Sequence, residues 1–547
     1  SIHNDYGRFE EALVAIEKAL KQDENFLEAY ILRGYVYFDK KEFDLCIADF
    51  SRVLEVNPKM IIAYYNIAQA EVEADRYDDA INHLNKFLNL KDISPIAKRK
   101  AEHLLSVATF SSEAVKNPVP FNPINLGDSV NTEESEYWPT ISTDNKTLIF
   151  TRLESKGKSS MGPIFKEDFY MTLKNNEGAW LEAKNVGGPI NTRGNEGALA
   201  LSPDGQFVFF VACNREDGVG DCDLYIAQRS GYLWKKPINL GKPVNSSTWE
   251  SSPTFSSDGR TLYFSRGVGG RGSKNMDIYK TVFDGASWSI PVPVNELNTD
   301  KEELAPFIHP DGETIYFSSN GHQGMGGHDI FYSRKQKDGT WSTPINIGYP
   351  INTKGDERGM IVNAEGELAY ISSERTGGKG GMDIYAFDLY EKARPNKVTF
   401  ASGVVFDDFT KEKLGASFEL INLETNEVVV TSSSDEKSGE FLVCLPTNRN
   451  YALNVSKEGY AFYSESFSLG GDSHDSYLLN VPLQPIKEGS KVVLKNVFFE
   501  TAKFDLKPVS TAELDKLVKF LEENSGVNIE LSGHTDNVGD KIGRAHV

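Results

Sequence analysis

One period governs the middle of this chain. Aligned on Asp144, Asp204, Asp258, Asp311 and Glu365, the region 121–388 repeats at spacings of 60, 54, 53 and 54 residues. Eight residues before each anchor stands a glutamate: Glu136, Glu196, Glu250, Glu303 and Glu357. Five residues before each glutamate stands an asparagine: Asn131, Asn191, Asn245, Asn298 and Asn352. An alternating apolar run such as Leu262-Tyr263-Phe264 follows each anchor. In most copies a glycine-rich hairpin comes next, and then an acid, apolar, aromatic triplet such as Asp277-Ile278-Tyr279. A unit of this size, made of short strands and turns, cannot bury its apolar face alone and must stack on its neighbours.

That grammar predicts a β-propeller at 121–390. Outer strands are read at 180–186, 234–240, 288–294 and 341–347, one fewer than the five inner sets. Pro123-Ile124-Asn125-Leu126-Gly127 matches Pro237-Ile238-Asn239-Leu240-Gly241 closely enough to supply the missing strand from the front. Five blades are therefore expected, closed by the 121–127 segment. Closure would place Glu136, Glu196, Glu250, Glu303 and Glu357 around one mouth of the channel, as a cation site or a socket for a basic segment. The architectural alternative is that each accepts N–H groups of its own turn or pairs with Arg152, Arg266 or Arg375. Asp223, Asp277, Asp329 and Asp383 are read as turn and strand-entry hydrogen-bonders. Gly267 to Gly272 spells a dinucleotide motif, but it lies between strands with no helix to receive a pyrophosphate. Cys213 and Cys222 flank one hairpin, and either a disulfide or two free thiols fits the spacing. The repeats resemble the TolB-like propeller family, in which six blades are common.

From Ser1 to about Leu105 the apolar spacing is helical and repeats every 34 residues. Phe9, Phe43 and Tyr77 fall in register, as do Ala12, Cys46 and Ala80, with Gly34 matching Ala68. Residues 1–110 resemble tetratricopeptide repeats, which implies stacked helix pairs offering a concave face to a partner peptide. A helical spacer is the alternative. The first copy lacks most of its leading helix, so sequence upstream of Ser1 is expected. A Ser-, Pro- and Asn-rich linker is expected at 111–123.

After the repeats, 398–485 reads as a small antiparallel β-sandwich, with strands at 404–406, 417–423, 428–431, 439–445 and 451–455. Gly403-Val404-Val405-Phe406-Asp407, Gly439-Glu440-Phe441 and Lys457-Glu458-Gly459-Tyr460 resemble the carboxypeptidase regulatory-like domain, which implies a non-catalytic module.

Residues 490–547 read as a strand at 491–499, a helix opened by Ser510 with Glu513 as capping-box partner, and a strand at 527–531. The loop that follows, Gly533-His534-Thr535-Asp536-Asn537-Val538-Gly539, resembles the OmpA-like peptidoglycan-binding domain, truncated here. The resemblance implies that Asp536 grips the ammonium of diaminopimelate in the peptide stem while Thr535 and Asn537 line the pocket. An arginine in the following helix would take the carboxylate. That arginine is not found at its place. Ile542 to Val547 matches one reading frame of a common sequencing adapter and is expected to be foreign, so weak wall binding is expected of this chain.

A length of 547 residues requires several domains, and a formal charge of -21 argues against a nucleic-acid partner. No apolar run approaches the roughly 18 residues of a membrane span. The architecture expected is thus multidomain: helical repeats, five-bladed propeller, small sandwich and truncated α/β OmpA-like domain. It resembles the multidomain OmpA-family proteins of Gram-negative envelopes, among them wall-anchoring components associated with type IX secretion. The resemblance implies a non-enzymatic periplasmic, outer-membrane-associated scaffold that binds peptidoglycan and other envelope or secretion-system proteins. No catalytic residue, metal or cofactor is assigned. The rival readings are a propeller-based ligand sensor and, more remotely, an enzyme using the glutamates.

Overall fold

The computed structural model describes residues 8–532 except 92, 160–161, 232, 268–274, 376, 447–448, 469–475 and 501–504. Two compact units emerge. The first contains Ser1–Pro120 with the segments Asn320–Ile330 and Asn346–Glu357, and the second contains Phe121–Ser319, Phe331–Ile345 and Arg358–Val547.

In the first unit six helices follow in order: α1 (Phe9–Gln22), α2 (Leu27–Asp39), α3 (Phe43–Val56), α4 (Ile61–Glu73), α5 (Tyr77–Leu88) and α6 (Pro95–Lys116). Small residues let consecutive helices touch. A Cβ on Gly34 of α2 would stand 2.7 Å from the Phe50 ring of α3, so only glycine fits without moving that ring. Phe50, Val53, Ala63 and Ile67 are fully buried around this contact. The expected linker begins later than its composition suggests, because α6 continues through Ser111, Ser112 and Val115 to Lys116. Buried Ser111 and Ser112 lie on its packed side, and tertiary packing overrides their weak helix preference.

The strand region forms five antiparallel sheets. β1 (Ile124–Asn125) precedes β2 (Ser135–Ile141), β3 (Thr147–Ser159), β4 (Gly162–Leu173) and β5 (Lys184–Asn185). Then come β6 (Glu196–Leu201), β7 (Phe207–Cys213), β8 (Cys222–Ser230), β9 (Leu233–Trp234) and β10 (Ile238–Asn239). β11 (Glu250–Phe255), β12 (Thr261–Gly267), β13 (Met276–Val282) and β14 (Val292–Pro293) make the next sheet. β15 (Glu303–Ile308), β16 (Thr314–Ser319), β17 (Asp329–Arg334) and β18 (Ile345–Asn346) make the one after. The last consists of β19 (Ile361–Val362), β20 (Leu368–Ser373) and β21 (Asp383–Asp388).

β1 does not join the sheet that follows it in sequence. It pairs with β21, Ile124 opposite Ala386 and Asn125 opposite Tyr385, so the front of the region completes the last sheet. The outer strands are shorter than expected. Most are two residues long, with Trp180, Trp288 and Trp341 held by isolated bridges.

Each of β2, β6, β11 and β15 is bulged at one place, two residues past its glutamate. The bulged residues Trp138, Ala198, Ser252 and Ala305 take left-handed φ of 53°, 49°, 48° and 53°, and Gly359 takes 73° at the matching place. Four of the five are small. Trp138 is the exception, and a Cβ on Gly359 would lie 2.6 Å from its indole, which explains the glycine.

The sandwich follows in the same unit: β22 (Val398–Asp407), β23 (Ser417–Asn422), β24 (Val428–Ser433), β25 (Glu440–Pro446), β26 (Asn450–Ser456), β27 (Tyr463–Ser468), β28 (Tyr477–Leu478) and β29 (Val481–Leu483). Its sheets run β25-β22-β28, with β29 also on β22, and β24-β23-β26-β27. Phe418, Leu420, Phe441, Tyr451 and Leu453 fill the core between them. β24 and β25 rest on turns of the strand region. Ser432 Oγ donates to Asp204 at 3.0 Å, Arg229 reaches Glu440 at 3.0 Å, and Gly259 has no room for a Cβ against Thr431 O.

The last described part departs from expectation. Residues 491–499 and 527–531 form no strand, apart from a bridge between Phe499 and Leu506. With no partner strand among the described residues, neither segment can satisfy its backbone groups in a ladder. The helix α7 (Thr511–Glu523) forms, but Ser510 makes no side-chain cap. Glu513 is fully buried and instead accepts from Ser464 Oγ at 2.7 Å and Asn496 Nδ2 at 3.0 Å, a stronger claim on its carboxylate than the expected capping box. Ala512 packs with Ile421, Leu423 and Ala452, and Lys516 pairs with Glu419. α7 thus lies on the outer face of the β23–β26 sheet.

Candidate functional site

The five glutamates are all buried, four of them completely, and their oxygens are committed locally. Glu136 accepts from Thr132 N at 3.0 Å, Thr132 Oγ1 at 2.7 Å and Arg152 Nε at 2.7 Å. Glu196 accepts from Thr192 N at 3.1 Å and from the Thr192 hydroxyl, and pairs with Arg215 at 2.9 Å. Glu250 accepts from Ser246 N at 3.0 Å and Ser246 Oγ at 2.5 Å, and pairs with Arg266 at 2.9 Å. Glu303 takes Thr299 N and Oγ1, both at 2.7 Å, with Ser319 Oγ at 2.7 Å in the arginine's place. Glu357 takes Thr353 N at 3.0 Å and Thr353 Oγ1 at 2.6 Å.

These carboxylates fasten the turn that leads into each inner strand. The residue that does it, a Thr or Ser directly after each asparagine, went unnoticed in the sequence although it occurs in all five copies. The arginines stack as they pair. The Arg152 guanidinium lies 4.1 Å from the Tyr170 ring centre, and those of Arg215 and Arg266 lie 4.6 and 4.9 Å from Tyr225 and Tyr279.

The asparagines act between sheets. Asn245 donates to Leu224 O at 3.0 Å and accepts Leu224 N at 2.9 Å, imitating a strand residue against the preceding copy. Asn191 does this to Phe169, Asn298 to Ile278 and Asn352 to Ile330. Asn131 does it to Ile384, across the whole region.

The triplet aspartates hold loops. Asp223 accepts Gly220 N at 3.0 Å and Asn239 Nδ2 at 3.0 Å, and Asp383 accepts Lys379 N at 2.7 Å and Asn125 Nδ2 at 2.6 Å. Asp329 accepts Asn346 Nδ2 at 3.1 Å, but its Oδ1 is buried without a partner. Burial pushes the Asp329 carboxyl up to about 7, with Glu357 adding repulsion. Asp277 is also raised, by burial and by Glu303, and Pro293 stands opposite Tyr279 where Asn239 stands opposite Tyr225. Asp168 fills the same role in the first copy, accepting Asn185 Nδ2 at 3.3 Å. It was missed because no glycine hairpin precedes it.

Inside the bulges lies a cavity of about 70 Å³, lined by residues from all five copies, including Trp138, Ala198, Ser252, Ala305 and Gly359. None of its lining side chains is Asp, Glu, His, Lys or Arg, and the five glutamates are not among them. Thr140 and Thr254, also in the lining, use their hydroxyls to accept Leu201 N at 3.4 Å and Ile308 N at 3.1 Å from the next copy. Glycoside hydrolysis in its common form needs two carboxyl groups flanking the bond, which this lining does not offer.

Cys213 and Cys222 form a disulfide. Asp536, Thr535 and Asn537 lie outside the described residues. No group of three or more metal-ligating side chains occurs among the described residues, and no described helix is long and apolar enough to cross a membrane.

A family model described as anaphase-promoting complex, cyclosome, subunit 3 matches residues 5–87, the helical repeats. No curated protein matches the chain. Among solved structures, TolB from Acinetobacter baumannii is similar at 12% identity and a TM-score of 0.30, over 53% of this chain and 70% of that one. A thermostable family-43 glycoside hydrolase is similar at 15% and 0.34, over 48% and 93%. A glycosyl hydrolase from Bacteroides ovatus is similar at 12% and 0.31, over 51% and 93%. Likenesses this distant decide nothing about chemistry, and the fold rests on the strand pairing itself. What stands is a chain of tetratricopeptide-like helical repeats followed by a large, propeller-like, multi-sheet strand region.

Proposed function

We propose that the strand region is a closed five-bladed propeller and that the protein is a non-enzymatic scaffold of a Gram-negative envelope. In this reading the repeats and propeller bind envelope proteins, among them components of a type IX secretion assembly, and the OmpA-like end holds peptidoglycan through Asp536, with Thr535 and Asn537 beside it. The observation that carries the non-enzymatic part is the commitment of all five glutamates to their own turns, beside a cavity lined without an acid or base. The Cys213–Cys222 disulfide supports an oxidising compartment such as the periplasm. The wall-binding part is supported by the motif Gly533 to Gly539.

Co-sedimentation with purified sacculi tests it, using this chain and a form in which residues 542–547 are replaced by the family's arginine-bearing helix. The expected result is weak pelleting of the first and strong pelleting of the second, lost on Asp536→Ala. Equal pelleting with and without Asp536 would overturn wall binding through this residue.

A further inference from the structure

The repeats serve as internal controls, and copy 2 departs from its neighbours in where it keeps an arginine. Glu136 and Glu250 stand directly opposite Arg152 and Arg266 on the adjoining strand. Each arginine has a second ladder partner on its other side, Asp168 or Asp277, so its backbone is fixed twice. In copy 2 the place opposite Glu196 belongs to Ala212. The guanidinium comes instead from Arg215, which lies past the end of β7 in the loop 214–221.

Arg215 reproduces the arrangement from this different origin. It bonds Glu196 Oε1 at 2.9 Å and Ile190 O at 3.2 Å, as Arg152 bonds Glu136 and Val130 O at 2.7 and 2.9 Å. The hold is poorer, however. Arg152 and Arg266 give Nε to the carboxylate and a second nitrogen to the carbonyl, whereas Arg215 serves both with one nitrogen and leaves Nε buried without a hydrogen bond. Glu196 is fully buried, so losing this guanidinium would strand a charge away from water.

The ladder of β7 and β8 ends at the register pair Cys213 and Cys222, and their disulfide closes the base of the loop. The far side of the loop is held without it. Asp223 accepts Val219 N and Gly220 N, as Asp383 accepts Lys379 N and Gly380 N in copy 5, which has no cysteine. The near side, which carries Arg215, has Asn214 N bonded to Asp221 O at 3.2 Å, Gly218 N bonded to Arg215 O at 3.0 Å, and the covalent tie at Cys213. Copy 5 also carries an arginine past its strand, Arg375, but there the ring of Phe121 lies 4.6 Å from the guanidinium, and the matching place in copy 2 is Lys235. Cys213 is partly exposed and residues 216–219 are exposed, so a thiolate has a way in.

We propose that the Cys213–Cys222 disulfide is a redox clasp for the Glu196–Arg215 ion pair, opened by a dithiol. One sulfur of the dithiol attacks as thiolate, and the mixed disulfide resolves when the second sulfur closes a ring. Two electrons and two protons end on Cys213 and Cys222 as thiols, and the dithiol leaves as a disulfide. The freed loop then lets Arg215 leave Glu196, and the turn that Glu196 holds through Thr192 loosens. The inference rests neither on wall binding nor on closure of the ring.

The test is amide exchange of the folded full chain with and without dithiothreitol, read at Thr192. Thr132 and Ser246 are controls in the same molecule, because their glutamates pair with strand-borne arginines. Reduction, confirmed by the thiols it liberates, is expected to speed exchange at Thr192 by at least about tenfold and to leave the controls unchanged. The double variant Ala212→Arg/Arg215→Ala, which returns the arginine to the strand as in copies 1 and 3, is expected to lose that response while its disulfide still reduces. A disulfide that withstands excess dithiothreitol in the folded chain, or unchanged exchange at Thr192 after reduction, would overturn the proposal. So would equal acceleration at the control amides, or an undiminished response in the double variant.

Discussion

Asn131 and Ile384 are 253 residues apart and bonded as strand neighbours. Asn131 Nδ2 donates to Ile384 O at 2.9 Å, and Ile384 N donates to Asn131 Oδ1 at 2.9 Å. Both are buried, and Glu136 N, donating to Met382 O at 2.7 Å, adds a backbone tie beside them. The contact is the same one that Asn245 makes to Leu224, so the junction between last and first copies is built like every other.

Asn131→Ala should therefore open that junction. It leaves the Ile384 N–H buried and unpaired, at about 1–3 kcal/mol, while Ile384 O keeps its bond from Leu126 N at 3.1 Å. Loss of hydrogen-exchange protection in β1 and β21, with β11 to β13 unaffected, is the expected pattern. Uniform loss, or none, would show that Asn131 does not hold the ends together.

Trp138 and Gly359 form a second coupled pair. Gly359→Ala adds a Cβ at a φ of 73° and within 2.6 Å of the indole. A cost of about 1–3 kcal/mol is expected from backbone strain and displaced packing. Trp138→Ala should relieve the packing share, so a double-mutant cycle should show coupling above about 0.5 kcal/mol. Strict additivity would mean the indole does not set the choice of glycine.

Asp329 gives a pH signature. Its folded pKa of about 7 lies above the ordinary carboxylate value. Between these two values the folded state holds the extra proton, so stability falls as pH rises, by up to about 1.4 kcal/mol for each pH unit crossed, and levels off above the folded pKa. Asp329→Asn places an amide N–H where Oδ1 lacks a partner, while its carbonyl oxygen can still accept Asn346 Nδ2. Melting of the variant should match the parent near pH 4 and exceed it above pH 7, positions set by those pKa values. Superimposable melting curves at every pH would remove Asp329 as the cause.

The order of elements was legible because each rests on local period: 34 residues for the helices, about 54 for the strand copies, and a front segment that matches the outer strands. For the glutamates the turn-bound alternative, with Arg152 and Arg266 as partners, was legible, but the hydroxyl that decides for it was not. An invariant spacing looks the same whether a carboxylate faces a channel or folds back on its own turn, and the hydroxyl at Thr132, Thr192, Ser246, Thr299 and Thr353 was the signal that separates the two. The left-handed bulges at Trp138 to Gly359 left no trace in composition, since Trp, Ala, Ser and Gly share no sequence preference. α7 was placed correctly as a helix, yet its seat on the sandwich depends on Glu513 meeting Ser464 and Asn496, residues too far apart in sequence for a periodic pattern to join.

On the proposed function the five-fold pattern is architecture and the specific chemistry lies at the end of the chain, and one comparison separates these directly. In the form carrying the arginine-bearing helix, Glu250→Gln and Asp536→Ala are assayed for melting and for pelleting with sacculi. Glu250→Gln, which leaves Arg266 without its buried counter-charge, is expected to lower stability by about 3 kcal/mol and leave pelleting intact. Asp536→Ala is expected to melt like the parent and remain in the supernatant. Pelleting lost with Glu250→Gln at unchanged stability, or retained in full with Asp536→Ala, would contradict that division.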